Sequence, residues 1–141
     1  MDKAIVVRTE FPPGRRIIAV SDIHGNLPFF RALMEKVRLT PDDILVLVGD
    51  LLEKGRDSLA LLRHLMELSR THTVFPVCGN CDGRVLRFFE TDELDQRFFA
   101  SYLPRHPESA LRQMAREGGF EQWDDLPRLR AGLRSAFPAE R

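Results

Sequence analysis

The chain has 141 residues, and 43% hydrophobic and 30% charged residues are typical of a globular domain with one core. Lysine plus arginine and aspartate plus glutamate both number 21, so the zero formal charge argues against a basic nucleic-acid binder or an anionic-membrane binder. The longest apolar run, about five residues, is too short for a membrane-spanning helix. Two cysteines and the lack of an apolar leader in residues 1–15 make the cytoplasm the expected compartment.

Three short apolar runs predict buried strands. They are rich in valine and isoleucine and too short for helices: Ile17–Val20, Ile44–Val48 and Thr73–Val77. Between them, apolar residues recur with helical periodicity over Leu27–Val37 and Asp57–Leu68. Strand ends that are about 30 residues apart are typical of βαβ units. We therefore expect a parallel α/β sheet with all three carboxyl ends at one edge.

The sequence changes character after residue 83. The remainder has no strand pattern and predicts three or four short helices, at about 84–90, 93–103, 108–117 and 122–135. We divide the chain into a metal-binding α/β core, residues 1–83, and a helical segment, residues 84–141. An earlier run, Ala4–Val7, is a candidate fourth strand. Even so, the sheet is expected to be incomplete, and an uncovered apolar edge would favour self-association.

A polar cluster follows each predicted strand directly. The clusters are Ser21–Asn26, Gly49–Gly55 and Cys78–Gly83. Ligands of open α/β sheets bind outside the carboxyl ends of the strands. We therefore expect five polar side chains to converge in one crevice: Asp22, His24, Asp50, Asn80 and Asp82. Carboxylate, imidazole and amide donors suit divalent metals such as Mn, Fe or Zn.

A single polar residue after a strand has a simpler explanation. One aspartate there is commonly a turn former or a helix cap, and one histidine is commonly structural. Three clusters after three consecutive strands are much harder to attribute to chance. The remaining histidines lack such a context and are not predicted to be ligands. His64 is expected to face water on the second helix, His72 stands at the start of the third strand, and His106 precedes a proline in a turn.

The three clusters resemble the first three motifs of the calcineurin-like metallophosphoesterases in order and in spacing. The matching residues are Asp22-x-His24-Gly25-Asn26, Gly49-Asp50-(x)4-Gly55 and Gly79-Asn80-x-Asp82. The second motif and the residues behind it, Asp57-Ser58-Leu59, are similar to the serine/threonine protein phosphatase branch. The resemblance covers about residues 16–83. It implies an enzyme that hydrolyses phosphate mono- or diesters, either in a phosphoprotein or in a small phosphate ester.

The resemblance also implies a dinuclear metal centre. Asp22 and His24 would bind the first divalent ion, Asn80 the second, and Asp50 would bridge both. A hydroxide between the ions would then attack phosphorus in line, without a covalent enzyme intermediate.

The sequence departs from this family pattern in three places. Cys81 stands where the third motif usually has a histidine that helps to protonate the leaving group, and Cys81-Asp82 resembles small prokaryotic phosphodiesterases of the same superfamily. Lys54 replaces the usual arginine, which keeps the charge but loses the bidentate fork, so Arg56 and Arg84 are candidate substitutes. The later histidine motifs are missing, which implies an incomplete ligand set and impaired turnover.

Two other interpretations stay open. Cys78 and Cys81 form a C-x-x-C pair between a strand and a helical pattern, which is typical of a thiol redox protein. That reading leaves the polar clusters at Asp22 and Asp50 unexplained. Alternatively, the 141 residues are a fragment or a non-catalytic binding module, because the sequence ends before a strand that would carry the next histidine.

Overall fold

Three parallel strands form the sheet in the computed structural model, which describes residues 6–93, 95–120 and 126–137. In sheet order they are β1 (Ile17–Val20), β2 (Ile44–Val48) and β3 (Thr73–Val77). Ile17 lies opposite Ile44 in the register, and Ile44 lies opposite Thr73. The predicted parallel sheet and its strand bounds are confirmed. The carboxyl ends of all three strands lie at one edge because the strands are parallel and adjacent.

Two helices connect the strands, and their bounds agree with the apolar periodicity. They are α1 (Leu27–Val37) and α2 (Ser58–Leu68). The side chain of Asn26 accepts a hydrogen bond from the backbone N–H of Phe29 at 3.1 Å. This cap begins α1 immediately after the first polar cluster, so the cluster is confined to a tight connection.

Beyond β3, all regular elements of the described residues are helical, as predicted. They are α3 (Asn80–Glu90), a π-helical turn (Phe98–Tyr102), a 3₁₀ turn (Leu103–Arg105), α4 (Ala110–Gly118) and α5 (Leu126–Ala136). The short helix expected over about 93–103 is found as a π-helical turn followed by a 3₁₀ turn, and not as a regular α-helix. The start of the helix expected at 122–135 lies outside the described residues. No described helix combines the length and the apolar character needed to cross a membrane.

The third helix begins four residues earlier than its periodicity predicted. Asn80, and not residue 84, opens α3, so the third polar cluster lies in a helical turn and not in a loop. The reason is a local cap: the backbone N–H of Gly79 donates to Oδ2 of Asp82 at 2.9 Å. A carboxylate three residues into a helix satisfies an amide that the helix itself leaves unpaired.

One face of the sheet carries the hydrophobic core. Leu45 and Leu47 of β2 are fully buried there, in a cluster that continues through Leu111 of α4 and Leu133 of α5. The core therefore runs across the predicted division at residue 83.

The opposite face of the sheet stays partly open. Ile17, Val48 and Val77 expose 52%, 48% and 50% of their surfaces. Phe11 covers part of this face, with its ring 5.3 Å from the ring of Phe75. The prediction of an incomplete sheet is confirmed, and one face of the sheet is open in addition to its edges. Self-association stays a prediction.

The fourth strand expected at Ala4–Val7 does not form in the part of that run which the structure describes. Residues 1–5 lie outside the described residues. Val6 and Val7 have no strand partner and expose 80% and 76% of their surfaces. A strand needs a neighbouring strand to pair its backbone N–H and C=O groups, and Val6 and Val7 have none. The expectation of a strand is therefore wrong for these two residues.

Candidate active site

The loops after β1 and β2 run side by side beyond the sheet. The backbone N–H of Asp22 donates to the carbonyl of Gly49 at 3.2 Å, and that of His24 donates to the carbonyl of Asp50 at 3.0 Å. These bonds continue the pairing of the two strands into the loops. Asp22 and His24 are therefore held next to Asp50, as their position after adjacent parallel strands predicted.

Three of the expected metal ligands have a left-handed backbone. The φ angles are 55° at Asp22, 48° at His24 and 52° at Asp50. Such angles are uncommon for residues with a side chain, and they occur preferentially at functional sites. Ile23, between the first two residues, is only 4% exposed and belongs to the core cluster. The side chain of Ile23 thus packs in the core, while its polar neighbours Asp22 and His24 lie outside the core cluster.

Two glycines allow these loops to approach closely. A Cβ atom at Gly79 would stand 2.2 Å from the backbone nitrogen and 2.3 Å from Oδ1 of Asp50. A Cβ atom at Gly55 would stand 1.9 Å from the carbonyl oxygen of His24. Any larger residue would push the loops apart, so both motif glycines are required by contact and not by their own backbone angles.

A group of potential metal ligands lies at this edge of the sheet. One donor atom each from His24, Asp50 and Cys81 lies within 4.8 Å of the others. Oδ1 of Asp22 lies 3.5 Å from Nε2 of His24. The terminal amide of Asn80 lies 3.2 Å from both carboxylate oxygens of Asp50. The four ligands implied by the family resemblance are therefore neighbours, and Cys81 joins them.

The amide of Asn80 is informative about the ligand chemistry. With its nitrogen towards Asp50, it donates hydrogen bonds to both carboxylate oxygens at 3.2 Å. With its oxygen towards Asp50, three oxygens face one another, an arrangement that a cation between them stabilises. The donor set of imidazole, carboxylate and amide oxygen thus fits a divalent metal.

His24 is oriented by the second loop. Its Nδ1 lies 3.4 Å from the carbonyl oxygen of Leu52, and its Nε2 lies 3.4 Å from Nζ of Lys54. A proton on Nδ1 would be shared with that carbonyl and would leave the Nε2 lone pair free for a ligand. Lys54 is exposed and brings a positive charge to this point.

The two cysteines have environments that disfavour thiolate chemistry. Burial raises the pKa of the Cys81 thiol, as does the charge of Asp50, while Lys54 and Arg84 lower it. Partial burial and the charge of Asp82 likewise raise the pKa of the Cys78 thiol, although this side chain is more exposed than that of Cys81. Thiol oxidoreductases use cysteines with a lowered pKa. The C-x-x-C pair therefore gains no support as a redox centre from its surroundings.

Asp82 has a structural contact that the sequence analysis missed. Its Oδ1 accepts hydrogen bonds from the backbone N–H groups of Leu51 and Leu52, both at 2.9 Å. Together with the Gly79 bond to Oδ2, three amides surround a side chain that is 5% exposed. Asp82 therefore joins the second loop to the start of α3. The signal available in the sequence was the glycine-to-aspartate spacing of a helix cap.

Glu53 is the second residue that the sequence analysis missed. It is 2% exposed, and its Oε1 accepts hydrogen bonds from the hydroxyl of Ser109 at 3.0 Å and from the N–H of Ala110 at 2.8 Å. Its Oε2 has no hydrogen-bond partner among the described residues, although Tyr102 is close enough to influence its pKa. Burial is the main cause that raises the pKa of Glu53. No local pattern marks this loop residue as buried.

The other predicted site residues and histidines lie as follows. Arg56 is exposed, and its side chain makes no hydrogen bond or ion pair with the residues that the structure describes. Arg84 is an exposed residue of α3. His64 does not simply face water, because its half-buried ring packs edge-on against Phe30 at 5.9 Å. His106 pairs with the carboxylate of Glu108 at 2.7 Å.

Comparison with known proteins identifies the family. The sequence profile of the calcineurin-like phosphoesterases matches residues 15–132. The chain belongs to this family. This match confirms the resemblance of the three polar clusters and extends it over the helical segment. Family membership supports a phosphate-ester hydrolase that uses divalent metals.

Several curated relatives are named symmetrical bis(5'-nucleosyl)-tetraphosphatases. The chain is 41% identical over 68 residues to one from Glaesserella parasuis, with 48% of this chain and 24% of the relative covered. It is 38% identical over 76 residues to one from Pseudomonas putida, with 53% and 26% covered. A third, from Salmonella paratyphi B, is 39% identical over 71 residues, with 50% and 24% covered. The match thus spans about a quarter of each relative. Their names point to nucleotides and do not support the expected protein phosphatase branch.

Proposed function

We propose that the protein is a metal-dependent phosphoesterase that hydrolyses a small phosphate ester of the nucleotide class. The observation that carries the proposal is the group formed by His24, Asp50 and Cys81, whose donor atoms lie within 4.8 Å of one another. This group stands at the carboxyl edge of a parallel sheet, where such folds bind their ligands. The family match supports hydrolysis of phosphate esters, and the names of the relatives support a nucleotide substrate over a phosphoprotein.

The proposed metal ligands are the four residues implied by the resemblance, Asp22, His24, Asp50 and Asn80. Their oxygen and imidazole donors fit Mn, Fe or Zn, and Asp50 would be shared by the two ions, as the family resemblance implies. When bound, two such ions supply a hydroxide nucleophile and neutralise charge on the phosphoryl oxygens.

The remaining residues of the site are proposed to bind and orient. Lys54 places its ammonium group 3.4 Å from Nε2 of His24 and would attract the phosphate of the substrate. Asp82 holds the second loop by accepting a hydrogen bond from the N–H of Leu51. The backbone N–H of Cys81 donates to Oδ1 of Asp50 at 3.1 Å and thereby orients the Asp50 carboxylate. Protonation of the leaving group by Cys81, and phosphate binding by Arg56, stay predictions from the resemblance.

The test compares substrates and variants of the purified chain in the presence of manganese. We expect metal-dependent release of nucleotide from a dinucleoside tetraphosphate and little release of phosphate from a phosphopeptide. Asp50→Asn should reduce the rate about 100- to 1000-fold, because a central charged group of the site is lost. Calorimetric titration of manganese should show weaker binding to the same variant, independently of turnover.

Cys78→Ala is the matched control. The Cys78 side chain is exposed and lies outside the ligand group, so its removal should leave hydrolysis unchanged. Full activity in Asp50→Asn, or loss of activity in Cys78→Ala, would contradict the proposal. Efficient hydrolysis of the phosphopeptide would restore the protein phosphatase interpretation instead.

A further inference from the structure

A cavity of about 370 Å³ is lined by the helical segment and by α3. Its lining combines three arginines with three stacked rings: Arg84, Arg97, Arg105, Phe98, Tyr102 and His106. None of these residues belongs to the three family motifs, although Arg84 follows the third motif closely in sequence. The cavity is therefore a feature of this chain that the motif chemistry leaves unused.

The cavity adjoins the proposed active site through α3. Asn80 is the first residue of that helix, and Arg84 follows one turn later on the same side, about 6 Å further along the axis. Arg84, which lines the cavity, thus lies one helical turn from Asn80 and three residues from Cys81 of the ligand group.

The arginines of the cavity are available to an anion. The side chains of Arg84, Arg97 and Arg105 are exposed and make no hydrogen bond or ion pair with the residues that the structure describes. One carboxylate lines the cavity, that of Asp95, and its Oδ1 already accepts the backbone N–H of Phe98 at 3.0 Å. Three guanidinium groups against one engaged carboxylate favour phosphate, which arginine binds through two parallel hydrogen bonds.

The rings of the cavity form a continuous flat stack. The Phe98 and Tyr102 rings are 5.2 Å apart at 18°, and the Tyr102 and His106 rings are 4.0 Å apart at 21°. The π-helical turn Phe98–Tyr102 belongs to a rare class of structure that is frequent at functional sites. His106 is the last ring of the stack, and its side chain is 38% exposed, so that a further planar ring could stack on it.

We propose that this cavity is a nucleotide subsite, in which the arginines bind the phosphates that flank the bond under attack and the ring of His106 stacks on the base. The inference rests on the proposed function for its reaction and adds to it the residues that select a nucleotide over a simple phosphate ester. Arg97 and Arg105 are thereby specificity-determining residues supplied by the helical segment.

The test measures binding and catalysis separately. Arg97→Gln and Arg105→Gln should each weaken the calorimetric Kd for ADP about 10-fold, since each removes a charged hydrogen-bond donor to phosphate. In kinetics, kcat/KM for a dinucleoside tetraphosphate should fall about 10-fold relative to kcat/KM for an aryl phosphate, which has no second phosphate to reach the cavity. Arg70→Gln is the control, because Arg70 is an exposed arginine that pairs with Glu67 on the surface.

A second variant separates the base from the phosphates. His106→Ala should weaken ADP binding while leaving the affinity for inorganic tripolyphosphate unchanged. Equal effects of Arg97→Gln and Arg70→Gln on ADP binding would overturn the subsite, and equal losses of ADP and tripolyphosphate affinity in His106→Ala would overturn base stacking. If the chain binds ADP through Arg97 and Arg105 but hydrolyses no phosphate ester, the proposed function fails and the subsite stands.

Discussion

Replacement of Asp82 by asparagine should destabilise the junction between the second loop and α3. The carboxylate accepts three backbone N–H bonds, all at 2.9 Å, from Leu51, Leu52 and Gly79. An asparagine can keep its oxygen on the first two amides, but its NH₂ group then faces the N–H of Gly79. One charged hydrogen bond is lost, two become neutral, and one donor is left facing another.

The size of the effect follows from these three bonds. Hydrogen bonds to a charged group contribute about 1.5–3 kcal/mol each, and neutral ones about half as much. The loss of one hydrogen bond and the weakening of the other two should lower the free energy of unfolding by about 3 kcal/mol. This corresponds to more than a 100-fold decrease in the folded-to-unfolded ratio. The melting temperature should fall by about 10 °C for a chain of this size.

The assay is urea unfolding followed by circular dichroism, with Asp42→Asn as the control. Asp42 is exposed, and its carboxylate makes no hydrogen bond with the described residues. The control should unfold like the unchanged chain. An Asp82→Asn variant within about 0.5 kcal/mol of the control would refute the structural role assigned to this carboxylate. Manganese affinity should also fall in Asp82→Asn, because the loop that carries Asp50 is no longer held in place.

Three further substitutions test other contacts. The Gly79→Ala variant should be destabilised, because its Cβ atom would stand 2.2 Å from the backbone nitrogen of Asp50 and would prevent the close approach of the loops. The Gly83→Ala control should be tolerated, because its Cβ atom would meet its nearest neighbour at 3.7 Å. A normal melting temperature of Gly79→Ala would contradict the crowding argument. Burial raises the pKa of Glu53, so the chain should lose stability as pH rises from the ordinary carboxyl pKa through the raised pKa of this residue. The Glu53→Gln variant should lose less stability over the same rise in pH, and an identical pH dependence of the two melting temperatures would refute this. The Arg16 guanidinium holds the pKa of Asp43 well below its usual range, so the pair stabilises the fold above the ordinary carboxyl pKa and less as pH falls. The melting temperature of Asp43→Asn should be lower than that of the unchanged chain at neutral pH, and the gap should narrow in acid; a constant gap would count against the ion pair.

The sequence by itself determined the elements of the α/β part and the place of its site. The bounds of β1–β3 and of α1 agree with the apolar pattern because those signals are local: a short buried run or a 3.6-residue period is visible in neighbouring residues. The convergence of Asp22, His24 and Asp50 followed from topology, since parallel neighbouring strands end at one edge. The resemblance of the motifs then led to the family, which the profile match over residues 15–132 confirms.

Only the tertiary structure decided what holds the site and what lies beside it. Asp82 and Glu53 find their partners 31 and 57 residues away in sequence, and no local pattern shows which amide a carboxylate will meet after folding. The same holds for the cavity beside α3, where Arg84 joins Arg97 and Arg105 from a segment that the periodicity described only as helical. Buried hydrogen bonds and cavity linings depend on packing between distant elements, whereas strands and helices depend on the order of neighbouring side chains.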